Sequence, residues 1–137
     1  MIRIRDERGS AAIELTLLAP LLLVILLFVV GLGRMAHARQ QVEAAAADSA
    51  RAASLERNTA LSTLAAHRAA EASLGDAGVS CTGLSVRTDL SSFEPGGRVV
   101  VTLGCRTRLR DVAMAGFPGS KTFTATSVVP IESWRSE

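Results

Sequence analysis

The chain has no tyrosine, a single tryptophan and two histidines in 137 residues. Aromatic platforms for base stacking are poorly supplied, and a formal net charge of +2 with scattered basic residues offers no cationic stripe for a nucleic-acid backbone. Lys121 is the only lysine, a bias read as composition and not as function. His37 and His67 stand alone without a second ligand at helical spacing. The two cysteines, Cys81 and Cys105, are too few and too far apart for a zinc site or a C-x-x-C redox pair. There is no Ser/His/Asp grouping, no phosphate-cradling glycine loop and no paired carboxylate. The expectation is a protein that is not an enzyme, with no metal, cofactor or nucleic-acid partner.

What is present is a run without charge. From Leu15 to Gly33 the sequence holds 19 uncharged, mostly apolar residues. At about 1.5 Å of rise per residue this nearly matches a hydrocarbon core of roughly 30 Å, so a membrane span is expected. Glu14 stands at its head, where a buried carboxylate costs on the order of 3 kcal/mol on insertion scales. One explanation is a position at the membrane surface, favoured by the helix macrodipole. Another is a partner for the charge inside an assembly. Pro20 lies within the run and removes a backbone donor; a kink is expected near Thr16, whose hydroxyl can satisfy a freed carbonyl. Gly31 and Gly33 are two apart and do not form a G-x-x-x-G face.

The residues around Glu14 favour the second explanation. Arg8-Gly9-Ser10-Ala11-Ala12-Ile13-Glu14, followed by an apolar run with Pro20, resembles the TadE-like pseudopilins of Tad (Flp) pilus systems, within the type IV pilin superfamily. Arg8, Gly9, Ala11, Glu14 and Pro20 carry the resemblance, which covers about residues 8 to 50. It implies a leader over 1–9 that is cut after Gly9 by a prepilin peptidase of the aspartyl type. Ser10 then becomes the new N-terminus and Glu14 the fifth mature residue. It also implies partners: other pilin subunits, pilus-assembly platform proteins and the cytoplasmic (inner) membrane, with the N-terminus inside and the C-terminal part extracytoplasmic. In such a fibre Glu14 can pair with the free α-amino group of a neighbouring subunit, a register device more than glue in a low dielectric.

A competing reading starts from Ala36-His37-Ala38, an A-x-A pattern behind a basic and then an apolar region. That is the layout of a secretory signal, which would release a disulfide-bonded binding module after Ala38. The apolar run exceeds the usual h-region, and Glu14 would lie within or beside it.

Beyond a span over 10–33, the stretch 34–74 is rich in Ala, Glu, Arg and Gln and reads as a helical stalk. Val42, Ala45, Ala46, Ala50, Ala53 and Leu55 mark its apolar stripe. Glu56-Arg57-Asn58-Thr59 interrupts the pattern, which predicts a bend and a second helix capped by Asn58 or Thr59, with apolar positions at Leu61, Leu64, Ala65 and Leu74, a continuous helix being the alternative. Gly75 is the expected stop.

Residues 75–137 read as a small β-rich head. Strands are expected over Thr82–Thr88 with Leu84 and Val86 on one face, over Arg98–Arg108, and over Thr122–Val129 with Phe123, Ala125 and Val129 together. Glu94-Pro95-Gly96-Gly97 has the composition of a type II turn, and Leu109–Gly119 holds about one helical turn. The helix over 60–74 is the expected lid. A Cys81–Cys105 disulfide is the economical reading for so small a head in an oxidising compartment, two buried thiols that never meet being the alternative. The whole is an α+β chain: a transmembrane helix continuing into a long Ala-rich helix, then an antiparallel sheet of about three strands.

Overall fold

A computed structural model describes residues 7–113 and 118–134, with backbone alone at 7–10, 112 and 113. Most of the expected leader, residues 1–6, and Phe117 of the expected turn lie outside the described residues. The elements run α1 (Glu7–Leu55), α2 (Thr59–Asp76), β1 (Gly83–Ser92), β2 (Arg98–Arg108), α3 (Leu109–Ala113) and β3 (Ser120–Pro130). The three strands form one antiparallel sheet in the order β1-β2-β3. The α+β architecture is the one read from the sequence.

The helical region departs from the expected stalk. α1 continues from the apolar run without interruption, but α2 does not extend it. After three residues the chain reverses, and α2 packs antiparallel along the second half of α1. Asn58, in extended conformation, caps α2 by accepting from the Ala60 N–H at 2.7 Å. Two side chains tie the pair at opposite ends: Ser62 Oγ donates to the Ala53 carbonyl at 2.8 Å, and Ser73 Oγ donates to Asp48 Oδ2 at 2.9 Å.

The reversal changes which face is inward. Val42, Ala45, Ala46, Ala50 and Ala53 are buried as expected, whereas Leu55 is exposed. On α2 the buried positions are Ser62, Ala66, Ala70 and Leu74, while Leu61 and Leu64 face outward. The inward stripe of α2 is built of small residues because α1 must come close, and the leucines are left outside for the same reason. Hydrophobic size alone pointed to the wrong face.

Gly78, not Gly75, ends α2. Gly78 has φ of 69°, its N–H donates to the Gly75 carbonyl and the Val79 N–H to the Leu74 carbonyl, each at 3.0 Å. This is the Schellman arrangement, completed by Val79 packing into the cluster that holds Leu74. Gly75 lies one turn early, inside the helix.

In the sheet, β2 alternates as its sequence dictates, with Val99, Val101, Leu103, Cys105 and Thr107 all buried. Phe123 and Ala125 of β3 join them, and Leu84 and Val86 of β1 are half-buried against the same core. β1 and β3 each run past their expected ends, and Pro130 is paired opposite Arg98 as the last residue of the edge strand β3. The Glu94–Gly97 turn is type II: Gly96 has φ of 82° and the Gly97 N–H donates to the Glu94 carbonyl at 2.8 Å. A register shift between Asp89 and Ser92 bulges β1 before that turn. There the Ser91 N–H donates to Asp89 Oδ1 at 3.0 Å, and this bond, with the Ser91 hydroxyl and Arg98, holds the carboxyl below its usual range.

Both helices cover the inner face of the sheet. α1 lies mainly over β2 and β3, and α2 lies toward β1. The lid is therefore chiefly α1, in place of the helix over 60–74. One cluster joins Ala38, Val42, Ala46 and Leu74 to Leu103, Cys105 and Phe123; a second, farther from the apolar run, joins Ala50, Ala53 and Ala66 to Val99, Val101 and Ile131.

Candidate functional site

The first half of α1 holds the residues singled out for processing and assembly. No residue of its apolar window is buried in the isolated chain, with Leu15 67 % and Leu17 71 % exposed. Among the described residues it is the one helix long and apolar enough to cross a membrane. Exposed surface of this extent, more than a score of residues long, demands lipid or other protein around it.

Gly9 and Ser10 lie in the helical backbone of α1. Glu14 follows Ser10 by four residues, which on a helix places both on one face about 6 Å apart along the axis. Glu14 is exposed, and among the described residues no hydrogen bond or ion pair is formed by its carboxylate. The nearest polar side chain with a bond is Thr16, whose hydroxyl donates to the Ala12 carbonyl at 2.7 Å. That corrects the expectation for Pro20. The carbonyl that loses its donor to Pro20 belongs to Thr16 itself, and the Thr16 hydroxyl turns to the preceding turn instead. α1 stays helical through Pro20.

Cys81 and Cys105 form a disulfide, with Cα atoms 5.4 Å apart. Cys105 is fully buried between Leu103 and Thr107 on the inner face, and Cys81 lies on the connection from α2 into β1, packed on the same cluster. The bond closes the β1–β2 hairpin at its open end. It has no spatial relation to Glu14, which stands 24 residues before the first core residue, Ala38, or about 36 Å along the helix axis. The two features are thus separate in space.

The histidines make local contacts within α1 and α2. His67 Nδ1 lies 3.5 Å from Glu71 Oε1 and His37 Nε2 lies 3.4 Å from the Gln41 amide, both within one helical turn on exposed faces. No group of three or more metal-ligating side chains exists among the described residues.

Sequence reasoning missed one concave feature. Where α1 leaves its apolar run, a cavity of about 270 Å³ is lined by Arg34, His37, Ala38, Gly78, Thr107 and Asp111, among others. Arg34, the first charge after the run, was its available signal. The chain's return to that level in the α2–β1 and β2–α3 connections was not readable without the hairpin.

No curated protein and no solved structure matches the chain. A family model does match, over residues 9–51: that of the TadE-like proteins. The match begins at Gly9, contains Ser10, Glu14 and Pro20, runs through the uncovered half of α1 into its buried half, and stops before either cysteine. Residues 9–51, about a third of the chain, are thus similar to the TadE-like proteins.

Proposed function

We propose that the protein is a non-enzymatic minor pilin or assembly component of a Tad-type (Flp) pilus, held in the cytoplasmic membrane by α1. It acts by packing that helix against other pilin subunits. The observation that supports this most is the division of α1. Its second half packs into the head, whereas the residues of its apolar run are not buried and Glu14, at the head of that run, forms no ion pair among the described residues. In the proposed pathway a prepilin peptidase cuts after Gly9. The α-amino group freed on Ser10 of one subunit then meets Glu14 of the next. In a low-dielectric bundle the pair is favourable only when both charges are present, so it selects register.

The competing secretory reading would cut after Ala38. Ala38 is 7 % exposed, in the interior of α1 and in the cluster with Val42 and Leu103. Release there would strip a core residue from the head, which favours the pilin reading.

Mass spectrometry of the mature N-terminus, with Glu14→Gln as the companion variant, tests the proposal. A Ser10 start and loss of the variant from sheared fibres, with membrane insertion and processing intact, are expected. An intact Met1 or an Arg39 start would overturn the processing step. Wild-type incorporation of Glu14→Gln would overturn the pairing role.

A further inference from the structure

The head begins almost where the apolar run ends. Arg34 is the first charge after that run and Ala38 is already in the core, four residues or about 6 Å farther along α1. No linker separates the two, so the near end of the head lies against whatever surrounds the apolar helix. The topology dictates which residues are at that end. α1 runs away from the run, β2 runs back toward it, and α3 and the start of β3 follow there, with Thr107 opposite Lys121 and Arg108 opposite Ser120. The cavity lined by Arg34, Thr107 and Asp111 ties the exit of α1 to this end of the sheet.

Charge is distributed unevenly along that axis. At the near end Arg34, Arg108, Arg110 and Lys121, all exposed, stand against Asp76 and Asp111. At the far end, among the described residues, Glu56, Glu94 and Glu132 stand against Arg57 and Arg98. Arg108 and Arg110 also flank a groove of about 350 Å³ floored by Pro118 and Gly119. Arg110 Nε is 3.7 Å from Asp111 Oδ1, an exposed pair that leaves the rest of the guanidinium fork open. A guanidinium fork suits phosphate oxygens, and cations near an anionic leaflet each gain on the order of 1 kcal/mol.

We infer that the near end of the head, centred on Arg108 and Arg110 with Arg34 and Lys121 beside them, docks on anionic phospholipid headgroups of the leaflet from which α1 emerges. This rests on α1 being a membrane helix. Docking would hold the head upright on the leaflet and tether the subunit until the helix is withdrawn.

The full chain in nanodiscs of phosphatidylcholine with about one third phosphatidylglycerol, probed by spin-labelled forms of each lipid, tests the inference. Spin-labelled phosphatidylglycerol is expected to associate in preference to phosphatidylcholine, and molar salt is expected to abolish the preference. Arg108→Gln/Arg110→Gln is expected to cut it by about thirtyfold, two cations' share of the surface attraction at about 1 kcal/mol each, with amide exchange of β2 unchanged. Equal association of the two lipids, or a wild-type preference in the double variant, would overturn the docking surface. A chain that fails to stay in nanodiscs of either composition would overturn the membrane reading beneath it.

Discussion

Breaking the disulfide gives the sharpest test of how the head is held. Cys81 and Cys105 are 24 residues apart and close the β1–β2 hairpin at its open end. The loop-entropy relation gives about 3.5 kcal/mol at 25 °C for a loop of that length. Reduction of the wild-type protein should remove this term and leave the thiols packed. Cys81→Ala/Cys105→Ala should cost about 1 kcal/mol more, because Cys105 is fully buried and its sulfur leaves a small void. Native-state amide exchange at Val99, Val101 and Leu103 reads the effect in the full chain in detergent, since these residues sit on the central strand and exchange through global opening of the head. Exchange should accelerate about 400-fold on reduction, the ratio corresponding to that loop term. An acceleration below about tenfold would refute the loop-constraint argument and mean that the unfolded hairpin is already closed by other contacts.

Two further substitutions test the packing. Ser62→Ala removes the buried hydroxyl that donates to the Ala53 carbonyl in the last turn of α1, leaving that carbonyl only the 3.4 Å bond from the Glu56 N–H. A loss of about 1–2 kcal/mol is expected in the same exchange measurement, and a neutral result would mean that water replaces the hydroxyl. Gly97→Ala would drive a Cβ into the Ser92 carbonyl oxygen of the β1–β2 connection and should cost about 3 kcal/mol or more in urea denaturation of the head. Gly75→Ala is its counterpart: nothing lies within 4 Å of the added carbon inside α2, so a gain of about 0.5–1 kcal/mol is expected.

The sequence revealed those parts of the molecule in which one residue's chemistry decides the outcome. The apolar run forces a helix whatever surrounds it, Pro95-Gly96 admits a type II turn, and the alternation from Val99 to Thr107 leaves only one inward face for β2. The residues proposed for processing and pairing, Gly9, Ser10 and Glu14, belong to one contiguous motif, which the family match covers. The hairpin of α1 and α2 was not legible because its signal is inverted. Leu61 and Leu64 look like core and are exposed, while Ser62 and Ala70 look neutral and are buried, since closeness of approach and not area decides a helix pair lined with alanine. Once the pair is misjudged, the lid is assigned to the wrong helix and the charges gathered beneath the head go unseen.

That alanine-lined contact also explains how anchor and head depend on one another. α1 packs against both α2 and the sheet, and Ala45, Ala46, Ala50 and Ala53, all without exposed surface, let both neighbours approach it closely. Each alanine, however, removes little apolar area from water, so the head gains less from burial than its size would suggest. The covalent hairpin and the buried serine bond offset that deficit by acting where area cannot, one on the unfolded chain and the other on a carbonyl otherwise held only by the long bond from Glu56. Because a single helix serves both parts with no linker between them, a rotation or shift of the uncovered half is carried into the head through rigid backbone. The packing of that half against its surroundings therefore also sets where the head stands.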